Sequence, residues 1–331
     1  MNRLSFSPLF TRFSRKKTAA AVLLVVSVFF SSFLPAAEPP PEYAAIEPLA
    51  SKSLLLSACL ADGRMVVVGE RGHILYSDDK GSSWTQANVQ TIATLTGVYF
   101  HDKNLGWAVG HDAVILKTAD GGKTWSRVYS APEEERPLLD VWFKDAEQGV
   151  AVGAYGLFMT TEDGGLNWSE NPIGEEDWHL NQIRRSDSGR LYIAGEAGNI
   201  CRSDDNGQTW TVLPSPYAGS FFGVLPLEGD TVLVFGLRGH LYRSEDAGDN
   251  WQPIESHTQA MLTGGARMPD GRLVVVGLSG TVLVSDDNGK SFSLLQQPDR
   301  MAIMSALPVE GGKVLLIGDG GTKELSIAVK E

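Results

Sequence analysis

The segment Ser77-Asp78-Asp79-Lys80-Gly81-Ser82-Ser83-Trp84 is one of six related octapeptides in this chain of 331 residues. Their shared pattern is Ser/Thr-x-Asp-x-Gly-x-Ser/Thr/Asn-Trp/Phe. The closing aromatic residues follow one another at intervals of 41 to 43 residues. A constant period near forty, with short strands between turns, is typical of a β-propeller, in which each repeat forms one blade. The other five copies begin at Thr118, Thr161, Ser203, Ser244 and Ser285.

Each conserved position of the octapeptide has a structural role, and we expect none of them to be catalytic. The Asp at the third position accepts hydrogen bonds from backbone N–H groups two or more residues later, as in an Asx turn. The Gly suits a backbone with positive φ, and the closing aromatic ring buries a large apolar face. The six aspartates are Asp79, Asp120, Asp163, Asp205, Asp246 and Asp287.

A second motif, an apolar run closed by Gly, occurs seven times, from Val66-Val67-Val68-Gly69 to Leu315-Leu316-Ile317-Gly318. Such runs indicate buried strands. The sequence therefore predicts an all-β, seven-bladed β-propeller whose last blade lacks an octapeptide and an outer strand. Because an open sheet edge invites aggregation, we expect Tyr43–Leu49 to pair with Leu325–Val329 and close the ring. For blade 3 the predicted strands are Leu139–Phe143, Gly149–Gly153, Leu157–Thr161 and an outer strand from Trp168.

Residues 1–37 have the pattern of a secretory signal peptide. Five basic residues precede an apolar stretch of 16 residues, Ala19 to Leu34, which is shorter than the roughly 20 residues of a membrane span. A small-residue cleavage region follows, and residues 38–42 form a proline-rich tether. We expect residues 43–331 to form the propeller and to reside in the periplasm. An uncleaved signal that serves as a membrane anchor is the alternative.

The charge of the chain restricts its partners. The formal net charge is −12, and removal of residues 1–37, which carry five basic and no acidic residues, makes it −17. A strongly acidic protein is unsuited to nucleic acid or to anionic lipid. We therefore expect a protein partner, and contact with a membrane only through that partner or through an uncleaved signal.

The two cysteines, Cys59 and Cys201, belong to blades 1 and 4. Blades that far apart in a ring do not bring two Cα atoms within disulfide range, so we expect two buried free thiols. Leu56-Ser57-Ala58-Cys59 resembles a bacterial lipidation box. It lies 25 residues beyond the apolar stretch and inside a predicted strand, which favours the free thiol.

The octapeptides match the Asp-box, or BNR repeat, of sialidases and several other propellers. The longer pattern, from Gly106-Trp107-Ala108-Val109-Gly110 to Asp120-Gly121-Gly122-Lys123-Thr124-Trp125, resembles the photosystem II stability/assembly factor family of seven-bladed propellers. The resemblance extends from about residue 43 to the C-terminus. It implies a non-enzymatic assembly factor on the lumenal or periplasmic side of a membrane, with relatives in non-photosynthetic bacteria, and a partner that is a subunit of a membrane complex.

In a propeller, the turns between the second and third strands of each blade lie on the same face as the connections between blades. That face, called the upper face below, surrounds the mouth of the central channel. Its mixed-charge side chains suit a polypeptide loop or a polar ligand, with ordinary solvated turns as the alternative. The predicted binding residues are Glu70, Arg71, His111, Asp112, Tyr155, Glu196, Arg238 and Asp319.

The connections between blades add acidic and aromatic residues to the upper face. Segment 131–137 is acidic and bounded by prolines, segment 174–179 combines acids with an aromatic residue and a His, and segment 214–217 places a Tyr after two prolines. They predict an acidic rim with aromatic anchors for a protein partner, or else a solvated charge cluster. The rim residues are Glu134, Glu176, Trp178 and Tyr217.

A sialidase-like glycoside hydrolase, or a glycan-binding propeller, is the alternative function. The resemblance to sialidases would assign Tyr155 as nucleophile, assisted by Glu70 or Glu196, with Asp112 as acid/base and a carboxylate clamp that includes Arg71 and Arg238. Sialidases use three arginines and six blades, whereas these turns supply two arginines and the repeat predicts seven blades.

His73 and His240 are the candidate ligands for a shared metal ion. They are equivalent in the repeat but lie several blades apart, which disfavours a common site. We therefore expect no catalytic residues, no metal and no cofactor.

Overall fold

The structure is a computed structural model that describes residues 42–174 and 176–327. The predicted signal peptide and all but the last residue of the predicted tether lie outside this range. The described chain forms seven sheets whose first strands pack in sequence around a central channel, with the seventh blade against the first. The predicted seven-bladed β-propeller is therefore confirmed.

The first half of the ring contains three blades and one short additional strand, which pairs in parallel with the outer strand of blade 2. Blade 1 consists of β1 (Leu55–Ala61), β2 (Arg64–Gly69), β3 (Ile74–Ser77) and β4 (Thr85–Gln86). After β5 (Asn88–Val89), blade 2 consists of β6 (Leu95–Phe100), β7 (Gly106–Gly110), β8 (Ile115–Thr118) and β9 (Thr124–Tyr129). Blade 3 consists of β10 (Leu138–Phe143), β11 (Gly149–Gly153), β12 (Phe158–Thr161) and β13 (Ser169–Glu170), each starting within one residue of its predicted position.

The second half contains four blades, of which the last has three described strands. Blade 4 consists of β14 (Leu180–Arg185), β15 (Leu191–Gly195), β16 (Ile200–Ser203) and β17 (Thr211–Val212). Blade 5 consists of β18 (Phe221–Pro226), β19 (Val232–Gly236), β20 (Leu241–Ser244) and β21 (Gln252–Ile254). Blade 6 consists of β22 (Leu262–Arg267), β23 (Leu273–Gly277), β24 (Thr281–Ser285) and β25 (Ser293–Gln296), and blade 7 of β26 (Ile303–Val309), β27 (Lys313–Gly318) and β28 (Gly321–Ser326).

Helical structure in the described range is limited to single turns of 3-10 helix. They are Ala50–Lys52, Glu70–Gly72, His111–Ala113, Pro132–Glu134, Glu196–Gly198 and Leu237–Gly239. No helix in this range is long and apolar enough to cross a membrane.

The second strand of every blade is almost entirely buried, and its apolar side chains pack against the neighbouring blades. A glycine closes each of these strands because the first strand of the same blade approaches too closely for a side chain. A Cβ atom on Gly69 would lie 2.1 Å from the carbonyl oxygen of Leu54, and one on Gly236 would lie 2.3 Å from that of Ser220. The apolar-run-plus-glycine motif is thus explained by backbone contact rather than by a turn.

The same contact is accompanied by a β-bulge near the start of each first strand. In blade 1 the pairing register shifts between Leu55 and Ser57, which leaves Leu56 without a partner residue across the sheet. Equivalent shifts occur in the other six blades. A bulge turns the unpaired side chain away from the regular alternation of the strand, and here it determines what lines the channel.

The predicted closure of blade 7 by Tyr43–Leu49 is wrong over the described residues. Within that range β28 pairs with β27 alone, and Tyr43–Leu49 contains no strand. Ala328 and Val329 of the expected pairing lie outside the described residues. Residues 43–47, called the strap below, instead run along the outer part of blades 1 and 2. Its hydrogen bonds to this part of the ring are Ala44 N to Val89 O (3.0 Å), Glu47 N to Gln86 Oε1 (2.9 Å), Gln86 Nε2 to Ala45 O (2.8 Å) and Gln90 Nε2 to Tyr43 Oη (2.9 Å).

Side-chain packing joins blades 7 and 1 where a shared sheet was expected. One apolar cluster contains Leu55 and Val67 of blade 1 together with Leu307 and Ile317 of blade 7. The 3-10 turn Ala50–Lys52 lies directly on β28, because a Cβ atom on Gly321 would be 1.8 Å from Ser51 O. An ion pair between Lys80 and Glu310 also crosses this seam. Apolar burial of this kind takes the place of the backbone hydrogen bonds that were predicted between Tyr43–Leu49 and the last strand.

Candidate functional site

The octapeptides lie on the face opposite the upper face, and their aspartates organise the turns. Asp205 Oδ1 accepts hydrogen bonds from the backbone N–H groups of Gln208 (3.1 Å) and Thr209 (2.9 Å), and its Oδ2 accepts from the Thr209 hydroxyl (2.6 Å). The hydroxyl of Ser203 donates to Oδ1 and accepts from Gly207 N at 2.8 Å. These side chains are thus hydrogen-bonded inside the turn, as the predicted structural role requires.

Turns between the second and third strands place side chains on the upper face through left-handed backbone conformations. Arg71, Asp112, Tyr155 and Arg238 have φ between 53° and 60°, and the residue after each also has positive φ, as in a type I′ turn. For a residue with a Cβ atom this conformation costs roughly 1–2 kcal/mol. Strained positions of this kind are frequent at binding sites.

The glycine in three of these turns is required by the neighbouring connection. Cβ atoms on Gly72, Gly198 and Gly239 would lie 2.1–2.2 Å from the carbonyl oxygens of Thr91, Tyr217 and Thr258, respectively. Each of these turns is therefore docked on the connection that leads into the next blade. Docking fixes the direction in which the strained residue before the glycine projects.

The predicted binding residues are found in these turns, on the upper face, but in six different blades. Arg71, His111, Asp112, Tyr155, Arg238 and Asp319 are exposed, whereas Glu70 and Glu196 are half-buried. Glu70 Oε1 accepts a hydrogen bond from Leu54 N at 3.2 Å, and Glu196 Oε2 accepts one from His179 N at 3.3 Å. Two of the eight therefore have a structural bond, and the involvement of the set in binding stays a prediction.

The rim residues occupy the predicted loops, with more internal contacts than the sequence suggested. Glu134 and Glu176 are exposed, while Trp178 and Tyr217 are half-buried. Arg136 binds Glu134 and Glu170 together, and these hydrogen bonds raise the pKa of the Arg136 guanidinium.

Two aromatic contacts hold other parts of the rim. The Tyr217 ring lies 4.0 Å from the imidazole of His240, centroid to centroid, and Tyr155 meets His179 at 4.9 Å in an edge-to-face arrangement. Ring contacts at these distances restrict side-chain motion. Tyr217 is consequently part of a packed cluster rather than a freely exposed anchor.

The channel itself is lined by residues that the sequence did not single out. The seven bulge residues of the first strands, one from each blade, surround a cavity of about 360 Å³ that none of the eight predicted turn residues lines. We call this set the bulge ring. Its members are Leu56, Thr96, Leu139, Asn181, Phe222, Thr263 and Met304.

The polar members of the bulge ring are engaged by neighbouring blades, which leaves its apolar members to face the cavity. The hydroxyl of Thr96 donates to Leu138 O at 2.7 Å, the amide of Asn181 to Phe221 O at 2.8 Å, and the hydroxyl of Thr263 to Ile303 O at 2.6 Å. Leu56, Leu139, Phe222 and Met304 remain half-buried without such bonds. An apolar mouth with few free polar groups suits an uncharged side chain more than a charged one.

One charged pair lies in the wall of the channel. Asp140 is buried and accepts hydrogen bonds from Val141 N (3.0 Å) and Ile183 N (3.1 Å), and its Oδ2 also binds the Arg184 guanidinium. The Arg184 side chain is 40% exposed, so its outer N–H groups face the cavity. This guanidinium and His179 are the basic groups in the lining.

Metal binding finds no support in the described residues, which contain no group of three His, Cys, Asp or Glu side chains able to hold an ion. His73 is buried, and His240 packs against the ring of Tyr217. Both cysteines are unpaired; Cys201 is buried and Cys59 is half-buried. Burial raises the pKa of each thiol to about 12, so neither is a reactive thiolate near neutral pH.

The chain resembles proteins of one family and many propellers of related shape. The profile of the family described as photosynthesis system II assembly factor YCF48 matches residues 50–133 and 127–278. The photosystem II stability/assembly factor HCF136 of Cyanidioschyzon merolae is 37% identical over 62 residues, which is 18% of this chain. The aligned stretch spans only 14% of that relative.

Two solved structures illustrate the likeness of the fold. The structure described as YCF48 bound to D1 peptide has a TM-score of 0.68 at 20% identity, covering 88% of this chain and 98% of the other. A streptogramin B lyase has a TM-score of 0.71 at 13% identity, with coverages of 86% and 96%. At such identities the likeness shows a shared fold, which unrelated functions often use.

Proposed function

The chain belongs to the family of photosynthesis system II assembly factor YCF48, and from this membership we propose that it is a non-enzymatic propeller that binds a polypeptide and assists the assembly of a membrane-associated complex. The channel cavity carries the proposal, because the apolar members of the bulge ring line it beside the partly exposed guanidinium of Arg184 on a rigid scaffold. A propeller of the same family has been solved with a D1 peptide. That supports a protein partner for this chain as well.

The geometry of the mouth defines the kind of segment it accepts. A cavity of about 360 Å³ holds one or two side chains, not a folded domain. Leu139, Phe222 and Met304 offer apolar contact, and Arg184 offers donors for a carboxylate or a backbone carbonyl. We therefore assign to this site a partner loop or chain end that inserts an apolar residue beside a polar or anionic group.

The turn residues extend this site outward. Arg71 and Arg238 project from docked turns, and Tyr155 projects from the equivalent turn of blade 3. The rim residues Glu134 and Glu176 lie in the connections between blades on the same face. Flat, polar surroundings of an apolar centre are the usual arrangement of a protein interface. In this proposal the mouth anchors the partner, and the turns and rim set which partner fits.

The location of the protein follows from the leader and remains part of the proposal. Residues 1–37 would direct export, and the propeller would work in the periplasm next to the membrane that holds its partner. A free membrane surface is not the proposed partner, because the chain is strongly acidic.

A pull-down from mildly solubilised membranes tests the proposal and places the site. One variant carries Leu139→Glu with Phe222→Glu in the mouth, and its matched control carries Arg71→Glu with Arg238→Glu in the turns. We expect wild type to retain a membrane-complex subunit, the mouth variant to lose it, and the turn variant to retain it with weaker binding. Thermal melting verifies that both variants are folded.

The other outcomes separate the alternatives. Loss in the turn variant alone would move the site to the turns. Capture of no subunit by wild type would contradict the scaffold function and would call for glycan screening. No observation here favours a glycosidase, because Arg71 and Arg238 stand in blades 1 and 5 and neither lines the channel cavity.

A further inference from the structure

Long cationic side chains bridge most neighbouring blades on the octapeptide face. Each donates to the carbonyl oxygen of the fourth octapeptide residue in the next blade. The acceptor lies in the sharpest part of the turn, where no strand partner reaches it. The four bonds are Arg64 Nη1 to Gly121 O (2.7 Å), Lys117 Nζ to Gly164 O (2.8 Å), Arg202 Nη1 to Ala247 O (2.9 Å) and Arg243 Nε to Asn288 O (3.0 Å).

The seam between blades 3 and 4 lacks this bridge. Thr160 occupies the strand position that Lys117, Arg202 and Arg243 hold in their blades, and its hydroxyl is too short to cross. The acceptor in the next octapeptide would be Asn206 O, and no cation of the described chain bonds to it. The carbonyl of Lys80 at the seam between blades 7 and 1 is also unbridged, but there the Lys80–Glu310 ion pair crosses instead.

A groove occupies the place of the missing side chains. Its volume is about 560 Å³, and it is lined by Thr160, Val150 and the octapeptide segment from Asn206 to Gln208. At the preceding seam the equivalent space is filled by Trp107, whose indole N–H donates to Gly164 O at 3.1 Å, and by Lys117 above the indole ring. In blade 3 the equivalent positions hold the smaller Val150 and Thr160, and the groove therefore opens at the next seam.

The groove wall contains an acidic residue at the octapeptide position that binds an arginine guanidinium in other blades. Glu162 is at the octapeptide position where Asp78 binds Arg64 at 2.7 Å and Asp204 binds Arg202 at 3.2 Å. No ion pair to Glu162 occurs within the described residues. The aromatic side chains of Trp142, Phe158 and Trp210 supply apolar walls.

One cationic side chain, that of Lys144, lines the groove but does not bridge blades 3 and 4. The ammonium of Lys144 donates to Gln148 Oε1 at 2.7 Å, within its own blade. It is exposed at the edge of the groove. Lys144 therefore does not supply the bridge that the other seams have.

We propose that this groove is a second docking site, which takes an arginine side chain projected by a partner protein. An arginine fits because its guanidinium can bond a carboxylate and a carbonyl at once, while its aliphatic stem packs on aromatic rings. Three of the four internal bridges use arginine. The net charge of −12 also attracts a basic partner surface. The site lies away from the bulge ring, so its occupation does not depend on the channel.

Short peptides test the proposal on the purified full-length chain. The probes are acetyl-Gly-Arg-Gly-amide and the same peptide with citrulline, which keeps the shape of arginine but lacks its charge. Binding is read from the indole N–H NMR signals of Trp142 and Trp210, assigned with Trp→Phe variants. We expect the arginine peptide to bind roughly tenfold more tightly than the citrulline peptide, as for loss of one charge-assisted bond.

A filled-groove variant provides the matched control. Thr160→Arg reproduces the internal bridge of blade 4, so it should abolish peptide binding and raise the melting temperature, whereas Thr160→Ser should leave both unchanged. Glu162→Gln should weaken binding several-fold and serves if Thr160→Arg does not fold. Equal binding of the two peptides, no signal change at about 10 mM peptide, or undiminished binding by folded Thr160→Arg would overturn the proposal.

Discussion

Asp140 of blade 3 accepts a hydrogen bond from the backbone N–H of Ile183 in blade 4, over 3.1 Å, beside the central channel. The carboxylate is buried, and it also binds Arg184, whose side chain is 40% exposed. One side chain therefore joins two blades and holds a guanidinium at the channel wall. The relationship couples stability of the ring to the charge that the proposed site presents.

Replacement of Asp140 by Ala should destabilise the protein by about 1–3 kcal/mol, because the Ile183 N–H loses its acceptor in a buried position. The lost ion pair adds little, since Arg184 is partly exposed. Asp140→Asn should cost less, because an amide oxygen can still accept from Ile183. Denaturant unfolding followed by tryptophan fluorescence measures both.

The matched control for this experiment is Asp187→Ala. Asp187 binds Arg267 at 3.3 Å, but its side chain is 81% exposed, so its loss should change stability by less than about 0.5 kcal/mol. Equal effects of the Asp140 and Asp187 substitutions would contradict the assigned role of the channel carboxylate.

A pair of glycine substitutions separates backbone strain from steric docking. Gly239 and Gly271 have φ of +74° and +87°, yet a Cβ atom would meet Thr258 O at 2.1 Å on Gly239 and nothing within 4 Å on Gly271. Gly271→Ala should cost roughly 1–2 kcal/mol from conformation alone. Gly239→Ala should cost clearly more, because the turn that carries Arg238 must leave its connection.

Thermal melting and partner binding together check this expectation. Partner binding should weaken in folded Gly239→Ala and stay normal in Gly271→Ala if the docked turn contributes to the interface. Equal melting temperatures of Gly239→Ala and Gly271→Ala would show that the connection moves aside without a loss of stability.

The octapeptide aspartates predict loss of stability in acid. Hydrogen bonds from the side chains of Ser83, Asn167 and Thr209 lower the pKa of Asp79, Asp163 and Asp205 from 3.8 to about 2. Groups with a depressed pKa stabilise the folded state above their ordinary pKa, and that contribution is lost as pH falls from about 4 to about 2.

Melting temperatures recorded between pH 7 and pH 2 measure this effect. Because of these carboxylates, we expect the melting temperature to change little above about pH 5 and to fall steeply below about pH 4. Asp205→Asn should lower the melting temperature at pH 7 and reduce the difference between pH 7 and pH 3. An unchanged difference would mean that this turn does not contribute to the acid response.

The strap depends on two glutamine side chains. Of the four hydrogen bonds that hold the strap on the ring, Gln86 makes two, with Glu47 N and Ala45 O. Gln90 makes one, with the hydroxyl of Tyr43. Gln86→Ala should therefore release the strap more than Gln90→Ala. Chymotryptic cleavage after Tyr43 should accelerate several-fold in Gln86→Ala and less in Gln90→Ala, and identical rates in both variants and wild type would refute the role of these bonds.

Local patterns predicted the fold well because each depends on residues close in sequence. The octapeptide forms its own hydrogen bonds between Ser203 and Thr209, and its repetition counts the blades. The apolar runs were located within a residue or so in blade 3. The closure prediction was wrong because residues 43–47 form hydrogen bonds along blades 1 and 2 instead of pairing with β28. Only the competing contacts in space decide between these two arrangements.

The sequence by itself determined that this chain is a seven-bladed propeller with an acidic surface, because repeat spacing, turn chemistry and charge are local or additive properties. Tertiary structure decided which residues meet. The bulge ring draws one unremarkable residue from each blade, since a register shift turns it into the channel, and the groove beside Asn206 exists because Val150 and Thr160 are small where Trp107 and Lys117 are large. Such sites depend on distances between residues some forty positions apart, which no single stretch of sequence encodes.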